Sequence, residues 1–265
     1  MQSKWFEKLE KNTRGEDWII GDIHGQFDLL QESLNYINFD KNKDRLISVG
    51  DLTDRGPKVF ECLRLLREPW FFAVKGNHEN MFVSKFGKAG YLHPLDLLRA
   101  YLYGDSQTIK AGVSVSELKE LIGLIKKMPL ILHVDHETSP FWIVHAQRPM
   151  RKNKLWTDEE IMAKTKVGFY DKDVMKVTWN RKILKELGKK NHLPKNSVSP
   201  IPGFEIITSL DEYQNLEKDV GLTYAGHTIL EKPIMHRSHV FIDGGYYKGG
   251  VLRLVNHNLF SANMI

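Results

Sequence analysis

The chain has 265 residues, enough to bury a sizeable core, with 42% hydrophobic and 27% charged residues, the composition of an ordinary soluble globular protein. No apolar run approaches a membrane span, Met1 to Glu16 is polar without a signal-peptide core, and the single cysteine, Cys62, excludes an internal disulfide and fits a reducing compartment. The net charge of +5 is modest and spread out, apart from a lysine-rich stretch between Arg181 and Lys195, and reads as a solvated basic face rather than a nucleic-acid site. The expectation is a cytoplasmic protein, one domain over residues 1–265 and monomeric, with neither a membrane nor a nucleic acid as partner.

Asp17-Trp18-Ile19-Ile20 reads as a first strand running into Gly21. Phe27, Leu30, Leu34 and Ile37 follow at helical spacing, predicting an amphipathic helix after the loop from Asp22 to Gly25. Leu46 to Val49 is a second strand. Val59, Cys62, Leu63 and Leu66 mark a second helix, with Pro57 favourable near its start, and Cys62 reads as a buried helix residue rather than a nucleophile. Trp70 to Val74 is a third strand ending at Lys75-Gly76. This β-α-β-α-β series predicts parallel strands with right-handed crossovers, so the loops after its three strands emerge at one edge of one sheet.

From Asn80 to Lys127 the pattern is mainly helical. Pro94 precedes Leu95, Leu98 and Leu102, and Ser114 to Glu117 has capping-box form ahead of Leu118, Leu121, Ile122 and Ile125. Leu130 to Val134 and Phe141 to His145, joined by a polar turn at Asp135 to Ser139, predict a β-hairpin. Helices are expected near Asp158 to Lys164 and from Trp179 to Leu187, followed by a loop from Gly188 to Gly203. Strands return at Leu222 to Ala225, Val240 to Asp243 and Val251 to Val255.

The chemistry is concentrated at strand ends. Gly21-Asp22-Ile23-His24-Gly25, Gly50-Asp51-Leu52-Thr53-Asp54-Arg55-Gly56 and Gly76-Asn77-His78-Glu79 each follow an apolar run, and open α/β sheets bind ligands beyond the carboxyl ends of their strands. Two histidines end further strands, His145 in Ile143-Val144-His145-Ala146 and His227 in Ala225-Gly226-His227-Thr228. Asp22, His24, Asp51, Asn77, His145 and His227 together offer carboxylate, imidazole and amide-oxygen ligands without thiolate. That donor set suits Mn, Fe or Zn in a dinuclear site, where the two oxygens of Asp51 can bridge a metal pair. His93, His133, His136, His192, His236, His239 and His257 lack these flanking signals and read as packed or surface residues.

The ordered series Gly-Asp-x-His-Gly, Gly-Asp-x-x-Asp-Arg-Gly, Gly-Asn-His-Glu, a strand-end His and Gly-His-Thr resembles the phosphoprotein phosphatase family of metallophosphoesterases, nearest its bacteriophage lambda-type serine/threonine phosphatases. The resemblance covers most of Asp17 to Val255 and is weak from Val83 to Lys127 and from Gln147 to Val177. It implies an α/β calcineurin-like metallophosphoesterase fold, with mixed sheets packed as a sandwich and flanked by helices. It also implies two divalent metal ions, manganese foremost with iron or zinc as alternatives. Asp22, His24 and Asp51 would hold one, and Asp51, Asn77, His145 and His227 the other.

The family reaction is hydrolysis of phosphoserine and phosphothreonine in a protein or peptide, with phosphotyrosine left open, by direct attack of a metal-bridging hydroxide. On the same resemblance His78 protonates the leaving oxygen, Asp54 orients His78, and Arg55 and Arg181 clamp the phosphoryl oxygens. Two positions depart from the family pattern: Ala146-Gln147 follows His145 in place of Gly-Gly, and Gly244 stands where a threonine is expected. A symmetrical dinucleoside tetraphosphatase is the nearest rival, against which stand Glu79 after His78 and the presence of Asp54. A nuclease-type phosphoesterase is favoured only by the basic balance. A non-catalytic phosphopeptide-binding module would predict a lost ligand or a lost His78, and none is lost.

Overall fold

The computed structural model describes residues 4–87, 112–164, 171–187 and 203–264. Its centre is a pair of facing sheets. The first has five strands in the order β4 (Phe71–Ala73), β3 (Arg45–Ser48), β2 (Asp17–Ile20), β13 (Val251–Asn256) and β9 (Gly203–Ile207). The second has six, in the order β1 (Phe6–Leu9), β5 (Ile131–Val134), β6 (Phe141–Val144), β10 (Leu222–Ala225), β12 (His239–Phe241) and β11 (Ile234–His236). A two-stranded ribbon, β7 (Met150–Arg151) with β8 (Lys154–Leu155), stands apart.

The apolar strand runs follow from burial on both faces, which removes the usual polar alternation. Along β2, Trp18 and Ile20 point to the helices α1 (Phe27–Tyr36), α2 (Val59–Arg64), α3 (Asn77–Gly87) and α4 (Val115–Lys127). Ile19 between them points to the opposite sheet, where it joins Ile47, Val49, Ile143 and Tyr224. In β6 the split repeats: Phe141 and Ile143 face inward, while Trp142 and Val144 face a third cluster around Trp5, Ile161, Val177 and Ile183. That cluster packs α5 (Asp158–Ala163), α6 (Asp171–Thr178) and α7 (Lys182–Glu186) onto the six-stranded sheet. The layers therefore run helix, sheet, sheet, helix.

Strands β2, β3 and β4 are parallel, as the β-α-β-α-β reading requires, and β5 with β6 forms the expected antiparallel hairpin. The Ser114 hydroxyl accepts from the Glu117 N–H at 3.1 Å and caps α4. That helix is tied to the end of α2 by Arg64 on Glu117 (2.8 Å) and to the turn that follows α2 by Arg67 on Glu120 (2.9 Å). Cys62 is fully buried in α2, and burial pushes its thiol well above its ordinary range.

Three expectations need correction. The helix expected from Trp179 to Leu187 is shorter, α7 starting only at Lys182, whose N–H donates to the Asn180 side chain at 3.1 Å, and a separate helix, α6, precedes it and ends at Thr178. The break turns Arg181 out of any continuous helix. Strands β1, β9 and β11 and the last helix, α8 (His257–Ala262), add to the sequence reading, and Gly203 opens β9 rather than closing a loop. The helix led by Pro94 and the body of the loop after Gly188 lie outside the described residues. Among the described residues no helix is long and apolar enough to cross a membrane.

Leu121 is fully buried where α4 meets the five-stranded sheet. Leu121→Ala should therefore cost about 2–5 kcal/mol of unfolding free energy in urea titration. A change well under 1 kcal/mol would mean that α4 is not packed against the sheet as described.

Candidate active site

Both sheets deliver their chemistry at the same edge. Asp22 and His24 follow β2, Asp51 follows β3, and Asn77 and His78 open α3 after β4. From the other sheet, His145 follows β6 and His227 follows β10. Gly226 N–H donates to His145 O at 2.8 Å, so the two histidines ride on adjoining strand ends, their rings 5.0 Å apart.

Asp51 is the point of convergence. Its Oδ2 lies 3.4 Å from His145 Nε2, 3.6 Å from His24 Nε2 and 3.9 Å from His78 Nε2. Its Oδ1 accepts the His78 backbone N–H at 3.0 Å. Two overlapping groups result, His24–Asp51–His78 and Asp51–His145–His227, and within each the ligand atoms lie within 4.8 Å of one another. Either group could hold a metal ion, with Asp51 common to both. Asn77 joins the second through Oδ1, 2.8 Å from His145 Nε2. Asp22 belongs to neither; its two oxygens both accept the His227 backbone N–H at 3.1 Å. The sequence placed His78 outside the ligand set, whereas the structure puts its Nε2 beside Asp51.

The histidine tautomers are set by the backbone. His24 Nδ1 faces Thr53 O at 2.7 Å and His145 Nδ1 faces Val49 O at 2.9 Å, so each Nδ1–H donates and Nε2 carries the lone pair. Burial pushes the His24 pKa down to about 4 and that of His227 to about 3, leaving both neutral at physiological pH. His227 Nε2 is buried with no hydrogen-bond partner among the described residues. At His145, burial also favours the neutral ring, but the Asp51 and Glu79 carboxylates outweigh it and raise the pKa. In the neutral ring, its Nε2 and the Asn77 amide oxygen would point lone pairs at each other, a conflict resolved by a proton or a cation between them. Asp51 is also drawn down: burial opposes its charge, yet His145 and His24 hold the carboxyl well below the usual range. An orphan imidazole nitrogen, opposed lone pairs and a shared carboxylate without thiolate fit a pair of divalent cations.

The backbone is strained to make this arrangement. His24, Asp51, Asp54, Arg55 and His227 all have positive φ, from 45° to 74°, which non-glycine residues rarely adopt and which costs of order 1–3 kcal/mol each. The motif glycines allow the loops to touch. A Cβ at Gly76 would sit 2.1 Å from Asp51 Oδ1, and one at Gly56 would sit 2.3 Å from His24 O.

At the mouth of the site, Asp54 Oδ2 accepts from His78 Nδ1 at 2.6 Å, and an Arg55 guanidinium nitrogen lies 3.1 Å from His78 Nε2. Arg181 reaches from the other side, with Nε donating to Thr228 Oγ1 at 3.1 Å and a terminal nitrogen donating to His227 O at 3.4 Å. Asp54 and Arg55 thus both contact His78, one at each ring nitrogen, rather than pairing with each other as a surface turn would. All ten residues singled out by sequence meet at this edge. Among the other histidines, His133, His239 and His257 are buried and pushed down in pKa by burial; His136 and His236 are hydrogen-bonded to Asn258 and Gln214. His93 and His192 lie outside the described residues.

Three neighbours escaped the sequence reading. Glu79 is fully buried: Oε2 accepts the N–H groups of Asp51 and Gly76, each at 2.9 Å, and Oε1 those of Leu52 (2.8 Å) and Thr53 (3.1 Å). Tyr247 stacks under the Arg55 guanidinium, 4.0 Å from the ring centroid, and packs edge-on to His24. Asp243 ends the β12 run and is almost fully buried. The only signals were the Glu after His78 and the strand-end Asp243-Gly244-Gly245. Both departures from the family pattern have local reasons. A Cβ at Gly244 would lie 2.2 Å from Val251 O, so this backbone excludes a threonine; Gln147 Oε1 accepts the Ile183 N–H at 3.1 Å and anchors α7.

The chain belongs to the calcineurin-like phosphoesterase family, whose sequence profile matches residues 18–229. It is 38% identical over 144 residues to a Salmonella typhimurium protein named serine/threonine-protein phosphatase 1, covering 54% of this chain and 64% of that one. It is 35% identical over 136 residues to a symmetrical bis(5'-nucleosyl)-tetraphosphatase of Actinobacillus succinogenes, covering 49% and 43%. The matches thus span less than two thirds of either relative. The crystal structure of a cold-active protein-tyrosine phosphatase from a psychrophilic Shewanella shares the fold, with a TM-score of 0.51, 15% identity, and 96% of this chain and 78% of that one covered.

Glu79→Gln replaces an acceptor oxygen by an NH2 group facing backbone donors. It should cost about 1–3 kcal/mol for each N–H left unpaired, read as a lower melting temperature, with weaker Mn(II) uptake because the Asp51 loop loosens. Unchanged stability and uptake would show that the Asp51 loop keeps its shape unaided.

Proposed function

We propose that the chain is a metal-dependent phosphomonoesterase that hydrolyses phosphoserine and phosphothreonine in proteins or peptides. The observation that carries this reading is the Asp54–His78 pair at 2.6 Å, set beside the shared carboxylate of Asp51 and flanked by Arg55. Asp22, His24 and Asp51 would hold one divalent cation, manganese foremost, and Asp51, Asn77, His145 and His227 the second. When bound, the two cations supply charge for the phosphoryl oxygens and lower the pKa of a water at neutral pH.

The remaining work falls to side chains. Arg55 and Arg181 are exposed, one on each side of the site, so a phosphoryl group entering from solvent meets two planar, two-pronged donors. In the resting arrangement Nδ1–H of His78 donates to Asp54, and Nε2 accepts from Arg55. When Arg55 turns to the phosphoryl oxygens, Nε2 is released and can carry a proton, with the Asp54 carboxylate stabilising the imidazolium. As the ester P–O bond breaks, that proton passes to the leaving oxygen, and a water oxygen takes its place on phosphorus. Tyr247 keeps the guanidinium of Arg55 over its ring and limits how far it can stray.

A second reading, hydrolysis of symmetrical dinucleoside tetraphosphates, is supported by the tetraphosphatase relatives. A substrate panel in the presence of manganese separates the two. The account expects turnover of phosphoserine and phosphothreonine peptides that is lost on chelation; exclusive turnover of diadenosine tetraphosphate would replace it. His78→Asn should lower peptide hydrolysis by about 10²–10⁴-fold and p-nitrophenyl phosphate hydrolysis by much less, because p-nitrophenolate leaves without a proton. Equal losses on both substrates would remove His78 as the acid.

A further inference from the structure

Four buried carboxylates gather at the strand ends: Asp22, Asp51, Glu79 and Asp243. Burying ionised carboxylates is costly unless each is paired or hydrogen-bonded. Three of them are provided for. Glu79 takes four backbone N–H groups, Asp22 takes that of His227 on both oxygens, and Asp51 takes that of His78 and faces three imidazoles.

Asp243 is different. Its Oδ1 accepts the Gly245 N–H at 2.9 Å, while its Oδ2 is buried with no hydrogen-bond partner among the described residues. Arg253, although buried nearby, directs Nε to Glu205 and its terminal nitrogens to the carbonyl oxygens of Leu230, Glu231 and Asp243, leaving the Asp243 carboxylate without a salt bridge. The charge also faces others of its own sign: burial and Asp51 push the Asp243 carboxyl up and Asp243 in turn pushes Asp22 up, with only partial relief at Asp243 from His145 and Arg253. Its position follows the rule that placed the other groups. Strand β12 is parallel to β10, Ala225 is in register with Phe241, and Ile242 N–H donates to Ala225 O, so Asp243 leaves the sheet beside His227.

We propose that Asp243 belongs to the cation-binding charge of the centre, its unpartnered oxygen serving as an acceptor for a hydrated divalent ion in the site. The inference rests on the two-cation reading above and adds a group outside the six ligands named there. A turn-forming role needs only Oδ1, which Asp243→Asn retains; a cation-binding role needs the charge, which the same change removes.

The test is Mn(II) binding by calorimetry to metal-stripped parent and Asp243→Asn protein, with thermal melts of both stripped forms. Removing a carboxylate that supports metal ligands typically weakens affinity about 10–100-fold, and that loss is expected here. The stripped variant should melt no lower than the stripped parent, because the change relieves like-charge repulsion. Equal Mn(II) affinity would overturn this inference alone, as would a stripped variant that melts well below the parent while its affinity is unchanged. A parent that takes up no Mn(II) would overturn the reading of the whole centre, and this inference with it.

Discussion

Four backbone N–H groups, from Asp51, Leu52, Thr53 and Gly76, converge on the two oxygens of Glu79, and the rest of the site depends on that contact. It fastens the loop after β3 to the start of α3 in the interior. It holds Asp51 at a φ of 53°, a conformation an aspartate does not keep unaided. Once Asp51 is fixed, the loop after β2 docks on it, with His24 N–H on Asp51 O at 2.8 Å and Gly25 N–H on Leu52 O at 3.0 Å. The imidazoles of His24, His78 and His145 then converge on one carboxylate oxygen. The strain is held by a buried polar staple, and the core beneath carries the sheets that support it.

Electrostatics follow from that geometry. Burial alone would neutralise every group here, and the observed directions show which contacts prevail. His24 and His227 yield to burial and stay neutral, with lone pairs free. His145 and Asp51 resist it together, each favouring the charged form of the other. Asp22 is pushed up by burial and by the Asp243 charge, and Asp243 by burial and by Asp51, with only partial relief from His145 and Arg253. The site is therefore short of positive charge on the side of Asp22 and Asp243. Divalent cations would correct that imbalance, while the exposed Arg55 and Arg181 at the rim meet an incoming dianion.

Much of this was legible in the sequence because two signals coincide. Apolar runs of four or so residues ending at glycine gave β2, β3 and β4, and the residues just past those ends are the functional ones. What the sequence hid has physical reasons. Phe6–Leu9 places two adjacent charges, Glu7 and Lys8, between two apolar residues on a half-exposed edge, so it lacks the alternation that signals a strand. The start of α7 at Lys182 rests on the Asn180 side chain, not on a glycine or proline, so the sequence reading began that helix too early, at Trp179. Positive φ at His24, Asp51 and His227 cannot be read from residues that seldom adopt it. Glu79, Tyr247 and Asp243 act through tertiary contacts in no fixed spacing, Glu79 with the Asp51 loop and Tyr247 with His24 and Arg55 far back in the chain, and only the folded chain brings them together.

If Asp51 joins two cation positions into one centre, the two ions lie on a shared carboxylate. Electron paramagnetic resonance of the protein loaded with Mn(II) addresses this directly, because two ions sharing a carboxylate are magnetically coupled while separate ions are not. The account predicts a stoichiometry of two Mn(II) per chain and an exchange-coupled spectrum that collapses to the isolated-ion pattern in Asp51→Asn. A spectrum of isolated ions from the fully loaded parent would contradict it.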